Sequence, residues 1–390
     1  MQLVCLRGGF YTHVPDRLFL TKLTSLEVLQ GIHIHKWDEE SQWQFLRDLG
    51  RLSEVRVLGI TYSSKGMVRS DLVQSLGNLH KLQHLSLSNN DGFGKAATRD
   101  WDTLVLPQHL RSLRLSAMQF SRLPSCISPS HLPKLYNLEL YVDDMDEASL
   151  RALGGLPELF YLELSTEEQP SRPCTATVAN ITAGDGFFQK LGWFHLVGWM
   201  IQLVLNEDST SVSCTICNTK GALLVKKTED ESSRAVTPMP VMPNLEELMF
   251  DIAVRALYKD GKGGCDNLGL ECLPSLDNVI VGVDCEGASV DDVEKAEAEL
   301  RHAGQLHPNR PRIKIVRDDE EYKESDEGDD LSVEEDDGEL QESNDGDDLS
   351  VEEDDGELQQ SDDGDDLSAE EDDGEMITKS LTCTRQEAAP

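Results

Sequence analysis

From Leu76 to Asn90 the apolar positions follow neither a helical nor a strand period over their whole length. Leu76, Leu79, Leu82, Leu85, Leu87 and Asn90 instead fall on the spacing L-x-x-L-x-L-x-x-N. Leu85 and Leu87 alternate as on a short strand, while Leu76 to Leu82 returns the chain to the core, so the run reads as one turn of a solenoid. A single turn cannot bury its own leucines, and the spacing therefore has to recur.

It does recur. Strand cores are read at Val55, Leu58, Ile60; Leu82, Leu85, Leu87; Leu110, Leu113, Leu115; Leu135, Leu138, Leu140; and Leu159, Leu162, Leu164. Looser versions stand at Leu23, Leu26, Leu29; Leu191, Phe194, Leu196; Leu245, Leu248, Phe250; and Leu276, Val279, Val281. The regular members start 24 to 28 residues apart, a leucine-rich-repeat interval. The expected fold class is α/β: a leucine-rich-repeat solenoid with a parallel sheet on the concave face and short helices and loops on the convex one. Only Asn90 clearly supplies the template asparagine, so the repeats are irregular.

Ser289, with Asp292 three residues on, starts a helix through VDDVEKAEAELRHA whose inner face is Val293, Ala296, Leu300 and Ala303. Pro308 and Pro311 end it, and the alternation from Arg312 to Arg317 predicts one short final strand. The organisation read from the chain is residues 1–288 as a solenoid of about nine repeats, with an inserted loop near 206–240 rich in Ser, Thr and charge. Residues 289–317 are the closing helix and strand; 318–376 are a disordered acidic segment, and 377–390 a disordered tail. The N-terminus carries no capping unit in this reading, which implies a chain that either starts late relative to its relatives or meets a partner at this end.

Charge changes this picture only at the C-terminal end. The net charge is −38, and 32 acidic residues fall between Asp318 and Glu375 against the single Lys323. Three copies of an 18-residue unit begin at Ser325, Ser343 and Ser361. So little apolar surface cannot offset chain entropy, and the like charges repel. Ser332, Ser350 and Ser368 each have Glu at the third following position, which suits an acid-directed kinase. With no basic stripe, nucleic acid is excluded as a partner, whereas basic proteins suit the tail. The calcium-loop spacing fails, because alignment on Gly338 puts Val333 and Glu335 at the first two ligand positions.

Candidate chemistry is sparse. Nine cysteines without framework spacing and no leader at MQLVCLRGGF point to a reducing compartment, cytoplasmic and possible also in the nucleus. Leu191 to Leu205 is too short to span a bilayer, so no membrane is expected. Cys214 and Cys217 lack a second ligand pair, and no phosphate-binding loop or nucleophile elbow occurs. No enzyme activity, cofactor or metal is expected. Residues between the core leucines point to the concave face. They form a column of His84, Ser86, Ser112, Arg114, Asn137, Glu139, Tyr141, Tyr161, Glu163, Ser165, Trp193, His195, Glu247 and Met249. The protein-binding set chosen from it is His84, Arg114, Glu139, Tyr141, Tyr161, Glu163, Trp193 and His195, because aromatic residues dominate protein interfaces.

Three runs carry a family resemblance: LTKLTSLEVLQGIHI from Leu20, FFQKLGWFHLVGWMIQLVLN from Phe187, and VEKAEAELRHAGQLHPNRPRIKI from Val293. From Leu20 to Val316 the chain resembles the C-terminal leucine-rich-repeat region of plant disease-resistance proteins of the coiled-coil, nucleotide-binding type. The resemblance implies a module that senses pathogen effectors or modified host proteins and restrains a nucleotide-driven switch. The family's coiled coil and phosphate-binding loop are absent from this sequence, which implies that it handles no ATP. Expected partners are a pathogen effector, a guarded host protein or a resistance receptor. Two other readings stay open: an acidic-tailed repeat protein acting as a histone chaperone, and a truncated product without function.

Overall fold

The computed structural model describes residues 3–8, 20, 23–63, 70–90, 94–96, 98–166, 176–182, 185–206, 211–218, 240–258, 264–265 and 268–317. The expectations placed on 318–390, Ser332, Ser350 and Ser368 among them, lie outside these residues.

The strands in chain order are β1 (Cys5–Arg7), β2 (Val28–His33), β3 (Val57–Tyr62), β4 (His84–Asn89), β5 (Gly94–Ala96), β6 (Ser112–Phe120), β7 (Asn137–Val142) and β8 (Tyr161–Ser165). There follow β9 (Thr177–Thr182), β10 (Trp193–Val197), β11 (Trp199–Leu205), β12 (Ser211–Asn218), β13 (Glu247–Ala253), β14 (Asn278–Asp284) and β15 (Arg312–Arg317). Eleven of them lie side by side in the order β1-β2-β3-β4-β6-β7-β8-β10-β13-β14-β15, with β5 alongside β6. Every pairing in this sheet is parallel.

The register explains the recurrent leucines. Leu29, Leu58, Leu85, Leu113, Leu138, Leu162, Phe194, Leu248 and Val279 occupy one row across the sheet. All nine are at most 1% exposed. Each repeat thus buries its apolar row only against its neighbours, which makes nearest-neighbour stacking the source of stability. Leu6 of β1 pairs with Leu29, so the ladder reaches one strand further toward the N-terminus than the Leu23–Leu29 run. Three residues of β1 are too few to display an alternation. At β2 the spacing opens from two to three residues between Leu29 and Ile32, and Gly31 sits in the widened step at φ +69°.

Helices cover the leucine side: α1 (Glu39–Asp48), α2 (Ser70–Gly77), α3 (Thr98–Asp102), α4 (Glu147–Gly154), α5 (Val254–Tyr258) and α6 (Val290–Leu306). In α6 the Ser289 hydroxyl accepts from Asp292 N at 3.1 Å, and Val293, Ala296 and Leu300 are buried. β15 then runs parallel to β14.

One expectation is corrected. The stretch read as an inserted loop near 206–240 contains β12, which pairs antiparallel with both β11 and β9 in a separate three-stranded sheet. Its serines and threonines suggested a loop, yet they alternate with Val212, Cys214 and Ile216, all buried. Threonine suits strands because its branched side chain packs on a pleated surface. The apolar run Leu191–Leu205 is therefore two strands, β10 and β11, separated by Gly198 at φ +75°. A Cβ at 198 would stand 2.8 Å from the Thr166 carbonyl oxygen, so only glycine lets the chain pass from one sheet to the other.

Candidate protein-binding face

The parallel register sets out the open face in rows. His84, Ser112, Asn137, Tyr161, Trp193 and Glu247 form one row; Ser86, Arg114, Glu139, Glu163, His195 and Met249 form the next. Residues up to 54 positions apart in the chain, Trp193 and Glu247, are thereby brought to adjacent strands, about 4.8 Å from one to the next. Seven of the eight residues of the expected binding set lie on this face with exposed or half-buried side chains.

Tyr141 is the exception. It is only 5% exposed and is withdrawn from the set. The physical reason lies in β6, whose register shifts after Arg114 so that the strand extends and Gln119 pairs with Tyr141. Gln119 is itself buried and donates to Asp143 Oδ1 at 2.7 Å, which walls in the ring from that side.

The remaining side chains form a connected polar and aromatic surface. Arg114 Nε donates to Glu139 Oε1 at 2.8 Å. The Tyr161 hydroxyl donates to Glu163 Oε2 at 2.7 Å and lies 3.4 Å from His195 Nδ1. His195 Nε2 lies 2.9 Å from Glu247 Oε1, and the His195 ring meets Tyr161 edge-on at 5.4 Å and tilts against Trp193 at 6.0 Å. Trp193 is 37% exposed, whereas the other four tryptophans are buried. Burial, with Glu163 alongside, pushes the Glu139 carboxyl up, and Arg114 offsets this in part. Burial and the bond to Glu163 likewise push the Tyr161 phenol up, so it stays a neutral donor. His84, at the other end of the row, is held below the ordinary imidazole value by burial and by Arg111 and Arg114.

One feature escaped the sequence reading. Tyr136 and Phe160 stand at the same template position, one residue before β7 and β8, and their rings stack at 5.1 Å with 10° between planes. Gly192 occupies that position before β10, and a Cβ there would come 2.4 Å from the Phe160 ring. The signal was present as two aromatics and a glycine in equivalent places. Strand alternation does not reveal it, because these positions lie just outside the strands.

Cys214 and Cys217 are three apart on β12, so their side chains leave opposite faces of the strand and cannot grip one ion. Among the described residues no helix is long and apolar enough to cross a membrane.

A parallel sheet with one buried leucine row per strand defines a leucine-rich-repeat protein, and the chain belongs to the leucine-rich repeat region family, whose model matches residues 1–313. It is similar to the disease resistance RPP13-like protein 4 of Arabidopsis thaliana, 29% identical over 113 residues. That match covers 29% of this chain and 13% of the relative's length. The chain is thus a leucine-rich-repeat region, similar over part of its length to a disease resistance protein, and regions of this family are typically protein-interaction modules.

Proposed function

We propose that the chain is a non-enzymatic recognition module of plant defence, acting in the cytoplasm or nucleus, whose open face binds a pathogen effector, a guarded host protein or a resistance receptor. The observation that carries this reading is the continuous surface of Tyr161, Glu163, Trp193, His195 and Glu247, five side chains from three non-consecutive stretches linked ring to ring and carboxylate to donor. A large, rigid, half-exposed aromatic centre with polar groups fixed around it is the composition of an interface hot spot. Family membership supports the same use of the face.

The test is affinity purification of the full chain from plant cells beside the variant Tyr161→Ala/Trp193→Ala, with partners identified by mass spectrometry. A resistance receptor or effector retained by the unaltered chain and weakened about tenfold or more in the variant is the expected result. Equal retention of the same partners by both would overturn the reading.

A further inference from the structure

From β2 to β13 the open face is divided electrically, and the division follows the strand order; beyond it β15 carries Arg312 and Lys314 at outward positions. On β7, β8, β10 and β13 the outward positions carry Glu139, Glu163, Glu247 and Asp251, with no lysine or arginine among them and His195 as the one group able to gain positive charge. On β2, β3, β4 and β6 the equivalent positions carry no carboxylate at all, and include Gln30, His84 and Arg114. The boundary is the Arg114–Glu139 ion pair between β6 and β7. The acidic half is also the aromatic half. Trp193 and Tyr161 stand in the row beside Glu163, and Glu139 pairs directly across the strands with Glu163.

Resting on the reading of this face as a protein-binding surface, we propose that its acidic half receives a cationic segment of the partner, with an arginine side chain lying against the Trp193 indole and reaching Glu163 and Glu139. Three features converge on that chemistry. Trp193 is 37% exposed, and a guanidinium stacks well on an indole. Glu139 and Glu163 are like charges on neighbouring strands; Arg114 pairs with Glu139, and an incoming cation offsets the repulsion that this pair leaves at Glu163. The planar guanidinium also presents paired donors to a carboxylate, so one arginine serves both ring and acid. An acidic partner segment would meet four carboxylates and is disfavoured.

The probe is a capped tetra-arginine peptide, with capped tetra-glutamate as control, added to the full chain at low salt. The acidic residues after 317 will also attract the peptide, so the readout is local: the emission difference between the chain and its Trp193→Phe variant. The proposal expects a saturable change in Trp193 emission with the arginine peptide alone. It further expects affinity about fivefold or more weaker in Glu139→Gln/Glu163→Gln, and weakening in about 0.3 M salt. No Trp193 response, or the same affinity in the glutamine variant, overturns it. Should the glutamine pair disturb folding, the unaltered chain decides, because a Trp193 response undiminished by salt overturns the proposal equally. In the cellular purification, a partner lost by Tyr161→Ala/Trp193→Ala but kept by the glutamine pair would leave the face in use and refute its cationic ligand.

Discussion

Tyr141 and Trp193 occupy the same kind of outward strand position, yet one ring is 5% exposed and the other 37%. Strand alternation assigns both to the open face, and only the extension of β6 alongside Tyr141 separates them. A residue-scale test of the electrostatics lies at Glu297 of the closing helix, which is 7% exposed and bonded to Arg301 at 3.0 Å and Arg317 at 2.6 Å. The bond to Arg317, with that to Arg301, holds its carboxyl below the ordinary value of 4.5 despite burial. A depressed folded pKa contributes stability that is present above 4.5 and lost as pH falls through the lower folded value. Glu297→Gln is therefore expected to lower stability by about 1.5–3 kcal/mol at pH 7, as charge-assisted hydrogen bonds are lost. In urea melts the gap between variant and parent should narrow steadily below pH 4.5; a gap independent of pH would refute the assignment.

At the scale of elements, α6 and β12 show opposite outcomes of the same kind of reading. For α6 the cap, the apolar face and the terminating prolines all point one way, and the helix runs Val290–Leu306 with Ser289 at its cap. Ser289→Ala should cost about 1 kcal/mol by removing the partner of an orphan N–H. Leu300→Ala, at a fully buried position, should cost about 2–5 kcal/mol through lost burial and the cavity left behind. Thermal unfolding of the two variants checks both, and equal costs would mean that the helix does not pack as described. For β12 the local composition favours a loop, and the strand exists because β9 and β11 flank it and satisfy its backbone groups on both edges. The pairing with β9 joins residues 177–182 to 211–216, a relation invisible to any local window.

Across the whole repeat unit, stability is a sum of neighbour contacts, so it varies along the ladder instead of being shared evenly. Among the described residues β1 has a strand on one side only, whereas β7 and β8 are flanked on both. Native-state hydrogen exchange should therefore be fastest at Cys5–Arg7 and slowest across β6 to β10. Uniform protection from β1 to β10 would show that the unit opens as a single block.

The apolar spacing alone settled the repeat and the core rows of β2, β3, β4, β6, β7, β8, β10, β13 and β14, because each repeat meets the same neighbour environment and burial repeats with it. Even the closing helix is local information, carried by cap, period and proline. Tertiary structure decided what depends on residues far apart in the chain: the antiparallel sheet of β9, β11 and β12, the burial of Tyr141 beneath an extended neighbour, and the joining of Tyr161, His195 and Glu247. The physical reason is the same in each case. A spacing states which way a side chain points, whereas exposure and charge at the face depend on what the adjacent strand places beside it.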